Sequence, residues 1–216
     1  NIATMPMAVA FGAADWINLE ALHRYPDLKI AFSESGIGWI PYLLERADYS
    51  HQQHKAWTHS AQYLNGMKPS EVWKKHFYSC FIDDAYGLKN LDEIGEDSVC
   101  YEVDYPHSDA PWPNAPEILW KSIQHLTDTQ IDKVTHLNAM RLFNFPMFDL
   151  IPKEQLTVGA LRQKAKEAGV DTTPLSSGGA APLADGETPR PVTSKDVIEM
   201  YMKHAKAAEH EAEPAE

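Results

Sequence analysis

Only two cysteines, Cys80 and Cys100, occur in the 216 residues of this chain. They show no CxxC spacing and no histidine partner at zinc-finger distance, which argues against a disulfide scaffold and a zinc finger. Each sits in an apolar, β-prone run and reads as a small core residue. Positive charge is scarce as well: 19 Lys and Arg stand against 31 Asp and Glu, a formal net charge of -12. Phosphate backbones need a basic face, so no nucleic-acid partner is expected, nor an anionic membrane surface. No apolar run reaches the roughly 18 residues that a membrane span needs. An acidic surface of this kind is common in cytoplasmic proteins, and a cytoplasmic location is the expectation. Gly36-x-Gly38 lacks the third glycine of a dinucleotide loop, and no GxSxG nucleophile elbow is present. There is no internal repeat.

What is present is ordinary in bulk. The hydrophobic fraction of 44% and the charged fraction of 23% suit one globular domain with an appendage. The chain opens on Asn1, inside an apolar stretch and without a basic n-region, so a signal peptide is not expected. It reads as a segment of something longer.

Periodicity supplies the element order. Trp16, Ile17, Leu19 and Leu22 predict an amphipathic helix over 14–24, which Pro26 stops. Leu28–Phe32 predicts a buried strand, and a long helical pattern follows from Trp39 to about Tyr63. A new segment starts at Pro69, leading into a strand over His76–Ile82 that Asp83 and Asp84 end. Leu88–Ile94 predicts a short helix closed by Gly95, and Ser98–Asp104 a third strand. After a proline-rich loop to Pro116 come helices over 117–126 and 127–143, the second capped by Thr127 or Asp128. Strands separated by helices argue for a parallel sheet, although three strands are too few to close a barrel of eight. Residues 146–216 read as an extension. It holds a helix over 153–168, a flexible linker over 171–191, a cap at Thr193 before a last helical stretch, and an acidic end from Glu209.

In parallel α/β barrels chemistry sits at the C-terminal ends of strands. That rule selects Ser33 and Glu34, then Asp83 and Asp84, then Asp104. Carboxylates there can bind metal, act as bases or merely cap the next helix. For Asp83 and Asp84 capping or solvation is the simpler reading. His107, three residues past Asp104, can shuttle a proton or orient substrate, or it is a polar loop residue. His51-x-x-His54 has a spacing that can bind metal, but Gln52, Gln53 and Lys55 make it a solvated helix face. Trp39, Tyr42 and Trp57 read as core or interface aromatics.

The segment Tyr25-Pro26-Asp27-Leu28-Lys29-Ile30-Ala31-Phe32-Ser33-Glu34-Ser35-Gly36-Ile37-Gly38-Trp39-Ile40-Pro41 resembles the amidohydrolase-related metal-dependent enzymes. So does Glu102-Val103-Asp104-Tyr105-Pro106-His107-Ser108-Asp109, and Asn138–Phe143 is similar to that family's closing helix. The relatives include aminocarboxymuconate semialdehyde decarboxylase. The resemblance covers about residues 10 to 145. It implies the C-terminal part of a (β/α)8 TIM-type barrel over 1–145, with a divalent metal, expected to be zinc. Of the family's ligands, only the last-strand Asp maps here, onto Asp104. The His-x-His pair and the middle-strand His would lie upstream of Asn1. The decarboxylase carries a catalytic His where this chain has Glu34, so its mechanism does not carry over through that position. The expected activity is hydrolysis of a small organic substrate, with non-oxidative decarboxylation of a carboxylated ring compound as the alternative. Asp104 holds the metal in that reading, and Glu34 and His107 are the acid–base candidates. A part-barrel also leaves apolar strand edges, so a homo-oligomer or an interaction module is a competing expectation.

Overall fold

A computed structural model of the chain describes residues 2–59, 64–107 and 109–171, with isolated positions at 186, 195, 198, 199 and 202. The chain divides into two units, Asn1–Pro174 and Leu175–Glu216, and every element below lies in the first. Most of the expected linker over 171–191, the cap at Thr193 and the acidic end fall outside the described residues.

The first helix, α1, spans Met5–Ile17 and is followed by a separate turn of helix, α2, over Ala21–Arg24. The single helix expected over 14–24 is therefore two. Pro6 sits in the first turn of α1, where its missing N–H costs nothing, so the apolar opening stretch is helical. The chain leaves helical geometry at Asn18, whose N–H closes α1 on Asp15 and Trp16.

Three short strands follow: β1 over Ile30–Phe32, β2 over Phe77–Phe81 and β3 over Val99–Tyr101. They form one parallel sheet in the order β1-β2-β3, with Ile30 opposite Phe77 and Ser79 opposite Val99. The third strand is shorter than expected. Ser98 belongs to a 3-10 turn, and beyond Tyr101 the chain turns away, reaching a left-handed φ of 55° at Asp104.

Helices connect the strands. Between β1 and β2 run α3, Ile40–Thr58, and α4, Pro69–His76. The long helix ends at Thr58 because His59 turns left-handed, at φ 57°. Between β2 and β3 come α5, Ala85–Lys89, and α6, Leu91–Ile94, which Gly95 terminates. After β3 lie α7, Ala115–Ile123, and α8, Asp128–Asp132, whose N-cap is the Thr127 hydroxyl. A π-helical turn over Lys133–Leu137 carries α8 into α9, Asn138–Leu142. The extension adds α10, Met147–Leu150, and α11, Val158–Glu167.

Side chains alternate across each strand. Phe32, Phe77, Phe81, Val99 and Tyr101 turn toward the helices, where Trp73 stacks on Phe77 at 4.9 Å between ring centres. Ile37, Ile40, Leu88, Ile94 and Ile123 complete that core. Each such side chain, fully buried, stabilises the fold by about 1.5–3 kcal/mol. Trp39 joins the core as expected, but Tyr42 and Trp57 are 72% and 71% exposed. Both face outward on α3, so neither is a core residue.

Asn138 locks α9 to the sheet. Its side chain is fully buried and donates to the carbonyls of Glu96 and Val99 at 2.7 and 2.8 Å. Arg141, one turn on, donates to the Asp97 carbonyl and the Tyr78 hydroxyl.

Candidate metal centre

The loops that leave the C-terminal ends of β1 and β3 approach each other, and one hydrogen bond joins them. The Glu34 N–H donates to the Glu102 carboxylate at 2.6 Å. Glu34 holds a left-handed φ of 53°, a conformation that costs a side-chain-bearing residue about 1–3 kcal/mol. Asp104 is left-handed too. Asp tolerates that region better than most residues, so it is Glu34 that marks a loop shaped by something other than backbone preference.

A second tie comes from the loop after β2. Asp84 Oδ2 accepts the N–H groups of Ile37 and Gly38, each at 2.7 Å, and Oδ1 accepts Gly87 N–H at 2.8 Å. The expected capping role is therefore present, on α5, but the same carboxylate also pins the β1 loop. Two glycines make this closeness possible. A Cβ on Gly38 would lie 3.0 Å from Asp84 Oδ1, and one on Gly87 would meet Ile37 Cγ1 at 2.3 Å. Ser35, which is buried, has the Phe32, Gly36 and Cys80 carbonyls within reach of its hydroxyl, whose single proton serves one of them at a time, Gly36 being nearest at 2.9 Å.

Against that frame Glu34, Asp104 and His107 come together. One ligating atom from each lies within 4.8 Å of the others. His107 Nδ1 is 2.7 Å from Asp104 Oδ2, and the His107 N–H donates to the Asp104 carbonyl at 2.8 Å. The side-chain contact is short but off-axis, so the buried Oδ2 lacks a well-formed hydrogen bond. The Asp104 side chain is 18% exposed, whereas that of His107 is 57% exposed. Tyr105 and Trp112 flank this loop, with ring centres 5.3 Å apart.

Glu102 is the residue that sequence reasoning passed over. Burial pushes its carboxyl above the usual range; the bond from Glu34 N–H opposes that, and the nearby Glu34 and Asp104 carboxylates add to it. Its position two residues before Asp104 was the available signal, since alternate residues of a strand share a face. Asp83 and Asp84 do not join the group: Asp83 accepts from the Ser122 hydroxyl at 3.1 Å. His51 and His54 also stay apart from it, on α3, where His54 Nδ1 accepts from the Trp57 indole at 3.2 Å. Ser33 is exposed at the end of β1.

A divalent cation fits this donor set. Two carboxylates and an imidazole are ordinary ligands, and a buried anionic oxygen without a proper donor is the atom a cation would satisfy. Converging carboxylates repel one another, and a cation between them removes that cost.

The comparisons bear on the same residues. The family described as Amidohydrolase matches residues 4–145. No sequence relative among curated proteins matches. Among solved structures, 5-carboxyvanillate decarboxylase from Sphingomonas paucimobilis is 23% identical with a TM-score of 0.51, over 64% of this chain and 40% of its own. An amidohydrolase from Mycobacterium avium subsp. paratuberculosis K-10 is 20% identical with a TM-score of 0.53, over 63% of this chain and 33% of its own. A dihydroxybenzoic acid decarboxylase from Polaromonas sp. JS666, solved with manganese and the inhibitor 2-nitroresorcinol, is 22% identical with a TM-score of 0.52, over 68% and 43%. The chain thus spans less than half the length of each. At these identities the likeness is one of fold: the three parallel strands and their helices are part of a TIM-type barrel.

Proposed function

Because the chain belongs to the amidohydrolase family, we propose that Asp104, Glu34 and His107 form one side of a divalent-metal centre that decarboxylates a small carboxylated aromatic compound. The observation that carries this reading is the buried Asp104 Oδ2, short of a proper donor and within 4.8 Å of both other groups. The carboxylated substrate class is drawn from the two decarboxylases that share the fold. The remaining ligands belong to barrel strands outside this chain.

A bound divalent cation supplies Lewis acidity and a fixed positive charge to orient an anionic substrate. Asp104 and Glu34 would hold it through their carboxylate oxygens. His107, more exposed and braced against Asp104, carries the proton that replaces the departing carboxyl group. Glu102 accepts from the Glu34 backbone and fixes that loop. Tyr105 and Trp112 give the ring an aromatic wall. The donors suit manganese as well as zinc, so the expectation of zinc carries no preference here.

Metal-dependent hydrolysis is the second reading. Glu34 favours it, since a carboxylate at that position serves a water nucleophile as general base. Incubation of the complete enzyme with hydroxylated benzoates separates the two: release of carbon dioxide supports decarboxylation, while turnover of esters, lactones or amides alone supports hydrolysis. The centre itself is tested by titrating this chain with manganese. Asp104→Asn is expected to weaken binding about tenfold or more, equivalent to about 1.4 kcal/mol. Equal binding by both proteins removes Asp104 from the site.

A further inference from the structure

Both cysteines of the chain lie side by side on the sheet. Cys80 of β2 and Cys100 of β3 are partners in the parallel register. Their neighbours Phe81, Val99 and Tyr101 pack toward the helices, so alternation turns both thiols to the opposite face, the one that also carries Glu102. Both are free thiols; Cys100 is buried and Cys80 is half-buried.

We propose that Cys80 and Cys100 form a reactive thiol pair that a peroxide closes to an intrachain disulfide. Adjacent strands run about 4.7–4.9 Å apart, which falls within the roughly 4.4–6.8 Å between Cα atoms that a disulfide spans. Parallel neighbours hold their Cβ bonds side by side rather than converging. The closed bond is therefore strained and easily reduced, the property of a reversible modification and not of a structural staple.

The surroundings support the chemistry. Each thiol biases the other: the neighbouring Cys80, with Arg141 helping, holds Cys100 below the ordinary thiol range against the effect of burial, while Cys100 and burial hold Cys80 above it. The thiolate attacks one peroxide oxygen and breaks the O–O bond, giving a sulfenic acid while the released hydroxide takes one thiol proton. The second sulfur then displaces the sulfenic hydroxyl, which leaves as water with the second thiol proton. Two thiols thus lose two electrons and two protons, and one peroxide becomes two waters.

The test treats the folded protein with one equivalent of hydrogen peroxide and counts thiols after denaturation. The expected result is a fall from two thiols to none, an intact mass lower by about 2 Da as two hydrogens leave, a peptide cross-link joining Cys80 to Cys100, and full recovery with dithiothreitol. In Cys80→Ser the remaining Cys100 thiol should be oxidised by peroxide to a sulfenic acid that added dimedone traps, with no cross-link. Three outcomes overturn the proposal: two titratable thiols after treatment, separate oxygen additions without mass loss, or a cross-link only between molecules.

Discussion

Asp84 has three backbone donors on one carboxylate, so removing that carboxylate is a severe test of the account of the site frame. Two donors, Ile37 and Gly38, share Oδ2, and Gly87 uses Oδ1. A hydrogen bond to a charged group contributes about 1.5–3 kcal/mol. Three such bonds set an upper limit, because the group is half-buried and water reaches the orphaned donors in part. Asp84→Ala is expected to cost about 3–5 kcal/mol. Asp84→Asn has nearly the same shape and is the sharper experiment. Its single carbonyl oxygen can serve the Ile37 and Gly38 pair, but its amide group then points a donor at the Gly87 N–H. One bond becomes a repulsion, and the expected cost is about 1.5–3 kcal/mol. Urea unfolding followed by circular dichroism, with linear extrapolation, gives both numbers. An Asp84→Asn protein within about 0.5 kcal/mol of the parent, the ordinary range for surface substitutions, refutes the claim that this carboxylate pins the two loops.

Gly87→Ala drives a methyl into Ile37 and should lose about 1–3 kcal/mol by the same assay, whereas unchanged stability means that the loops do not approach as described. Asn138→Ala leaves the Glu96 and Val99 carbonyls without their donor, and a loss of about 2–4 kcal/mol in the urea midpoint analysis is expected. His76 is fully buried with its Nδ1 on the Leu28 carbonyl, and burial holds its pKa below 6.5, with Lys75, Lys29 and His23 acting in the same direction. The unfolded chain therefore takes up that proton first, so its contribution to stability is complete above pH 6.5 and declines as the pH falls below it. Unfolding midpoints between pH 7.5 and 5.5 should fall less steeply in His76→Gln; an identical slope in both proteins assigns the pH dependence elsewhere.

The strand order was legible because apolar runs such as Phe77–Phe81 stand between polar breaks, and Gly95 announces a helix end. The break at Asn18 was not, since the apolar spacing of Trp16, Ile17, Leu19 and Leu22 runs straight across it. Nor was the π-helical turn at Lys133–Leu137, which adds one residue to a helical repeat without a sequence marker. Tyr42 and Trp57 stayed open between core and interface because an aromatic residue on a helix reads the same either way, and their exposure excludes only the core. For the site, the strand-end rule selected Glu34 and Asp104, and the structure brings both beside His107. The same rule also selected Asp83 and Asp84. Only the hydrogen bonds tell an anchoring carboxylate from one short of a donor.

Glu34 and Asp104 occupy backbone shapes that glycine adopts freely and that a side chain adopts at a cost, larger for Glu than for Asp. Selection for heat tolerance alone would drift toward glycine or asparagine at both places, gaining firmness while erasing the charges gathered there. The stiffest descendant of this chain would then be one that no longer sets two carboxylates at these strand ends.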